Sequence, residues 1–181
     1  MSQALTRSAN LLGSVGLAVS DRIRAAGEEE LGLGGSAPVA VVALSTFLAD
    51  RPLDEIADAF GITASAVVRL VDRLEDAGLA KRQPGPDRRR VSVSLTAKGE
   101  RRAKAILARR EHELDRVLEA LSADEQRELT RLHEKLLGRL PDDVPGARRV
   151  CRYCDVHACG HYEGRCPVTQ GIDARGLRTP A

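Results

Sequence analysis

GITASAVVRLVDRLEDAGLAKRQPGPDRRRVSVSLTAKG, residues 61–99, decides the fold, because its periodicity changes once and the change is punctuated. Thr63 is an N-cap residue, and Val67, Leu70, Val71 and Leu74 follow at the i, i+3, i+4, i+7 spacing of an amphipathic helix. That helix stops at Ala77-Gly78, as a glycine beyond the last turn predicts. Ala80 to Gln83 is short and polar, and Pro84-Gly85-Pro86-Asp87 is turn chemistry. Val91, Val93 and Leu95 then alternate with Ser92 and Ser94, the pattern of a half-buried strand. Just upstream, Leu53 to Phe60 reads as a short helix ended by Gly61. Residues 52–78 therefore form a helix-turn-helix, with a β-hairpin following directly.

Working outward, residues 3–26 carry Leu5, Leu12, Val15, Val19, Ile23 and Ala26 at helical spacing. Glu28, Glu29 and Glu30 with Gly32, Gly34 and Gly35 are expected to break that helix. Ser36 is the expected N-cap of an apolar helix from Pro38 to about Ala49. Thr96 opens a long helix to about Leu121, with Ile106, Leu107, Leu114, Val117 and Leu118 on one side. Ser122 with Glu125 is a capping box for a last helix to about Leu140. Pro141 and Pro145 mark a linker. The fold class is mainly α: a winged helix-turn-helix with a small β-hairpin wing, plus N- and C-terminal helices whose long apolar sides suit dimerisation. The expected division is a winged-helix domain over 1–140, a linker over 141–147 and a Cys-rich tail over 148–181. Within the first, 3–36 and 96–140 are dimerisation helices and 37–95 the DNA-binding lobe.

Composition narrows the function. Hydrophobic residues make up 43% of the 181 residues, enough for a core, but aromatics are only 2%, which argues against stacking platforms for single-stranded nucleic acid. The net charge of +2 is nearly neutral, so affinity for a polyanion must come from local clustering. No apolar run approaches the ~18 residues of a membrane span and no signal-peptide pattern opens the chain, so a soluble cytoplasmic protein with no membrane partner is expected.

Clustering is present. With Val67, Leu70, Val71 and Leu74 turned inward, the second helix turns Ser65, Arg69 and Asp72 outward, flanked by Val68 and Arg73. Arginine bonds guanine edges bidentately, serine reaches a base or a phosphate, and valine meets a thymine methyl. An ordinary amphipathic helix has the same pattern, and the hairpin breaks the tie. Residues 81–90 hold Lys81, Arg82, Arg88, Arg89 and Arg90 against Asp87 alone, a local charge of +4 on a tight turn beside that helix. Such a loop suits phosphates or the minor groove of double-stranded DNA.

The segments LVDRLEDAGL, residues 70–79, and PGPDRRRVSVSLTAKG, residues 84–99, resemble the MarR family of winged helix-turn-helix regulators. The family's wing pattern falls on Asp87, Arg88, Arg89, Val91, Leu95, Thr96 and Gly99, and the order of elements matches over roughly residues 8–140. The resemblance implies a homodimer on a pseudo-palindromic operator, Ser65 and Arg69 at the major groove, Arg89 in the minor groove, and Asp87 fixing the wing. It also implies a repressor released by a small aromatic effector held between the dimer helices and the DNA-binding lobe, near Phe47 and Phe60. Burial in the core is the commoner fate of two such phenylalanines, and nothing in the sequence selects a ligand.

The tail departs from that pattern. Cys151-x2-Cys154-x4-Cys159-x6-Cys166, with His157 and His161 inside, contains all four cysteines of the chain. Four thiolates at this spacing can complete a tetrahedron around zinc, with either histidine able to replace one of them. Zinc would also supply folding energy to a segment poor in apolar side chains. An iron–sulfur cluster is the alternative cofactor, although the spacing fits neither common ferredoxin pattern, and a thiol–disulfide switch is a third reading. In those readings the tail makes the protein a metalloregulator or redox sensor. No enzyme is expected: no Ser/His/Asp grouping, phosphate loop or paired carboxylates at active-site spacing occurs, and the C-x2-C lacks a strand-rich context.

Overall fold

The computed structural model describes residues 3–85 and 90–177. In chain order they form α1 (Gln3–Leu31), α2 (Ala37–Leu44), α3 (Leu53–Phe60), α4 (Ala64–Asp76), β1 (Ala80–Pro84), β2 (Val91–Leu95), α5 (Ala97–Leu118), α6 (Ala123–Leu137), α7 (Val144–Cys151) and α8 (Pro167–Ala174), with a 3-10 turn at His161–Glu163 before α8. This is the mainly helical winged-helix fold expected.

α1 lies along α5, and α2 fills the angle between them. α2 has the composition of a helix buried all round: Ala37, Val41, Val42, Ala43 and Leu44 are all inaccessible. On its far side α3 and α4 close the core with Ile56, Ala59, Val67, Val71 and Leu74, while Val93 of the wing and Ile106 of α5 complete it. Gly61 ends α3 in the left-handed conformation at φ 63°, which turns the chain into α4. The antiparallel wing pairs Ala80 with Leu95 and Pro84 with Val91. Gly99 explains the glycine of the Leu-Thr-x-x-Gly pattern: a Cβ there would stand 2.1 Å from the carbonyl oxygen of Leu79. Only glycine lets the first turn of α5 sit against the foot of β1.

Several boundaries differ from expectation, each for a local reason. α1 runs on through the three glutamates to Leu31 because α5 and nearby groups answer them. Arg102 binds Glu30 at 2.7 Å, Arg109 binds Glu29 at 2.9 Å, and Glu28 accepts from the Gly35 amide at 2.9 Å. Ser36 has helical backbone angles and makes no side-chain cap. α2 ends at Leu44, not near Ala49; there the Ser45 and Thr46 hydroxyls donate to the carbonyls of Val42 and Ala43. In β2 the alternation is inverted at one end. Val91 is 45% exposed and Ser92 fully buried, because Arg51 and Pro52 lie alongside as a third partial strand. α5 stops at Leu118, where the Gln126 side chain donates to the carbonyls of Leu118 and Leu121. α6 stops at Leu137, short of Leu140.

The expected linker 141–147 is corrected most. Pro141 is buried, and α7 begins inside the stretch at Val144, capped by Asp143. α7 packs against α3, and α8 packs against α6 and α7. The tail therefore docks on the winged helix.

Candidate functional site

α4 presents the surface that the sequence singled out. Thr63 Oγ1 accepts from the Ala66 amide at 3.3 Å and anchors its first turn, and its buried face is wholly aliphatic. Ser65, Val68, Arg69 and Arg73 are all exposed along the opposite side. They are not equivalent. Arg69 has no hydrogen bond or ion pair among the described residues, whereas Arg73 donates to the carbonyl of Gly34 at 3.1 Å. Ser65 Oγ lies 3.1 Å from Thr63 Oγ1 at the N-terminal end.

The basic hairpin is less free than its charge count suggested. Arg82 donates to Asp72 at 2.7 Å and to Glu75, so it straps β1 onto α4, and the Arg82 amide donates to Glu75 at 2.7 Å. Partial burial opposes the charge of Arg82, but the bond to Asp72 and the field of Glu75 outweigh it and hold the guanidinium above its usual value. Arg90 is paired with Asp54 on α3. Lys81 is exposed, while Asp87, Arg88 and Arg89 lie outside the described residues. The sequence offered no signal for the Arg82 strap, since its partners sit one element away.

A cleft of about 590 Å³ opens where α1 and α5 face α2 and the tail, lined among others by Ile23, Val39, Phe60, Arg110 and Tyr153. Tyr153 reaches into it from beyond α7, and its hydroxyl donates to the carbonyl of Ile23 at 3.3 Å. Burial raises that phenol to about 12. Phe60 lines this cleft, and Phe47 lines a second cavity of about 500 Å³. Both phenylalanines are half-buried against the core rather than wholly within it.

The second cavity gathers the tail's chemistry. Cys151, Cys154, Cys159, Cys166 and His161 all line it, and all four cysteines are free thiols. The Cys154 amide donates to the Cys151 carbonyl at 2.9 Å, so the C-x2-C pair occupies one tight turn. Asp155 then accepts from the amides of His157 and Ala158, setting the loop that returns through Cys159. Burial pushes the Cys151 thiol up to about 12, with its neighbours Cys154 and Cys166 adding to the effect, and burial raises Cys154 and Cys159 as well. Cys166 goes the other way. It stands at the N-cap position of α8, and despite burial the Thr169 amide and hydroxyl, His161 and Cys159 hold it below the ordinary thiol value. His157 is exposed and stacks on Tyr162, with ring centroids 5.3 Å apart. Among the described residues no three His, Cys, Asp or Glu side chains already stand as a ready-made metal cage.

The Nε of Arg110 is buried without a hydrogen-bond partner, in the cleft that Cys154 and Cys159 also line. A sequence signal for it existed. Arg110 follows Ile106 by one turn on the apolar side of α5, where an arginine needs a partner.

The MarR family model matches residues 32–90, the stretch from the end of α1 to the wing. Among solved structures, the MarR family protein Rv2887 of Mycobacterium tuberculosis in complex with DNA is 32% identical, with 71% of this chain and 95% of that one covered at a TM-score of 0.53. The same protein in complex with p-aminosalicylic acid matches at 31% identity, covering 71% and 96%, with a TM-score of 0.53. A MarR-family transcriptional regulator from Rhodococcus sp. RHA1 matches at 27% identity, covering 75% and 96%, with a TM-score of 0.58. No curated protein matches the chain.

Proposed function

The chain belongs to the MarR family, whose members are DNA-binding transcription regulators, and from that premise we propose that it is a dimeric repressor that reads a pseudo-palindromic operator and is released by a small ligand. The observation that carries this reading is α4: an aliphatic buried face behind Ser65, Val68 and Arg69, all exposed, with Arg69 uncommitted. That is the arrangement a recognition helix needs, since its base-reading groups must be free while its back is anchored. Arg88 and Arg89 at the wing tip would add phosphate or minor-groove contacts, with Asp87 fixing the turn.

The partner for dimerisation is a second copy. Leu11, Leu12, Val15 and Leu17 of α1 are between 46% and 72% exposed, and α6 buries none of its residues within the protomer. Exposed leucines at Leu132, Leu136 and Leu140 continue that surface at the other end of the chain. An apolar area of this extent on two helices is what an obligate interface covers.

An effector would enter the cleft beside Phe60 and Tyr153, whose volume of about 590 Å³ suits a small aromatic molecule. The Rv2887 complex with p-aminosalicylic acid supports an aromatic class. A second reading, in which the tail senses a metal or oxidant, is favoured by one contact. Arg148 of α7, one turn before Cys151, binds Glu55 of α3 at 3.1 Å and so touches the helix-turn-helix.

The test is selection of binding sites from random duplex DNA by the full chain, with sedimentation of the protein alone. The expected result is a dimer at micromolar concentration and an enriched inverted repeat with half-site centres about one helical turn apart. A monomer, or equal affinity for enriched and random duplexes, would overturn the reading.

A further inference from the structure

The tail's four cysteines remain unused by the DNA-binding reading, and their placement is specific. All four line one cavity of about 500 Å³, Cys151 and Cys154 from one tight turn and Cys166 from the N-cap position of α8. A disulfide framework would sort four sulfurs into two separate pairs. Four free thiols lining one cavity are what a single tetrahedral ion requires. The other walls of that cavity carry Arg51 and Arg148. On the cleft side stands Arg110, with its buried and unpartnered Nε, and its positive charge acts on Cys154. A buried arginine donor without an acceptor calls for an anion nearby, and neutral thiols do not provide one.

We propose that Cys151, Cys154, Cys159 and Cys166 bind one Zn²⁺ as a tetrathiolate, with Arg110 as a half-buried counter-charge of the site. Each thiol releases its proton to solvent as its Zn–S bond forms. Four thiolates around a divalent ion carry a net charge of −2, which Arg110, Arg51 and Arg148 offset. His161 lines the cavity beside Cys166, so its role is to orient that ligand, while His157 does not line it; both rings pack on Tyr162. Four protein ligands leave no open position, so the ion is a staple. It joins the end of α7, which packs on α3, to the start of α8, which packs on α6. The tail's own buried apolar residues are few, Val156, Val168 and Ile172, and the ion supplies what they lack.

The test uses the full chain, expressed with zinc and iron both supplied and purified without oxygen. It does not depend on DNA binding, so its failure and that of the repressor reading are separable. The expected protein is colourless with one zinc per chain, and its thiols stay unreactive toward a disulfide reagent until a chelator is added. Cobalt substitution should give the intense visible bands of a tetrahedral thiolate site. Each of C151S, C154S, C159S and C166S should lose zinc while keeping the helical circular dichroism of α1 to α6; H157A and H161A should keep the metal. Arg110→Met should weaken zinc binding about ten- to a hundredfold at unchanged stoichiometry. Brown, iron-containing protein, failure to bind cobalt or zinc, or full zinc content in any Cys→Ser variant would each overturn the proposal.

Discussion

Arg82 on the first wing strand donates to Asp72 on α4 at 2.7 Å, so the wing and α4 are held to each other by a side chain. Glu75, one turn further along α4, takes both the Arg82 amide and its guanidinium. The group that looked like part of a DNA-binding charge cluster is therefore internal scaffolding. Arg82→Ala is expected to cost about 0.5–1.5 kcal/mol in chemical denaturation, in the range of charge-assisted hydrogen bonds that are only partly buried. A double-mutant cycle with Asp72→Asn should show the coupling, and zero coupling energy would contradict the strap. Operator affinity should fall by more than the lost charge explains, with an unchanged salt slope, since no phosphate contact is removed.

On α4 itself, Arg69 and Arg73 should separate. Arg69 is uncommitted, and Arg69→Ala should cost about 1–3 kcal/mol on the operator and relax sequence preference. Arg73 already serves the Gly34 carbonyl at 3.1 Å, so Arg73→Ala should lose less discrimination and some stability. Arg89→Ala should weaken binding across all sequences and lower the salt slope by about one, the behaviour of a phosphate or minor-groove contact. Titrations of enriched and scrambled duplexes over a salt series check all three. Identical behaviour of Arg69→Ala and Arg73→Ala would show that Arg73 leaves Gly34 when DNA binds.

Local chemistry made the winged helix legible. Thr63, Thr96 and the Ser122–Glu125 box cap their helices as read, and Gly61 and Gly78 end theirs. Those signals sit within a few residues of what they control. What was not legible depends on partners far along the chain. α1 continues through Glu29 and Glu30 because Arg109 and Arg102 answer them from about 70–80 residues away. Ser92 is buried because Pro52 lies beside it. The tail's docking was invisible for the same reason, since Tyr153 meets Ile23 across 130 positions. The cysteine spacing was plain, but only the fold brings Arg110 to it.

Gly27 gives the tail's docking a direct test. A Cβ at Gly27 would stand 2.1 Å from the Tyr153 hydroxyl and 3.1 Å from Pro38 Cβ. In a helix interior Gly→Ala ordinarily stabilises by about 1 kcal/mol. Here the methyl group must displace Tyr153 from the Ile23 carbonyl, so Gly27→Ala should loosen the tail and speed its removal by limited proteolysis. In the Tyr153→Ala background only Pro38 Cβ at 3.1 Å still crowds the site, so the cost of Gly27→Ala should shrink and no longer add to that of losing the tyrosine. If Gly27→Ala leaves proteolysis unchanged while Tyr153→Ala accelerates it, the tail is held by contacts other than this one.

Removal of zinc distinguishes a staple from a sensor. α3 and α4 draw their packing from Ile56, Ala59, Val67, Val71 and Leu74, none of which belongs to the tail. The polar contacts of α7 with α3 are the half-buried Arg148–Glu55 pair and a bond from Arg149 to the Asp58 carbonyl at 3.5 Å, and contacts of that kind contribute about 1 kcal/mol or less. Losing the ion should therefore lower the thermal midpoint and expose the tail to protease, while operator affinity changes by less than about tenfold, a coupling below about 1.4 kcal/mol. The same limit should hold for the variant with all four cysteines changed to serine. The measurement is operator affinity of zinc-loaded, chelator-treated and peroxide-treated protein beside that variant. If treated wild type releases the operator and the all-serine variant ignores both treatments, the four thiols are a sensing site, and Arg148–Glu55 is the first contact to examine for the signal's path into α3.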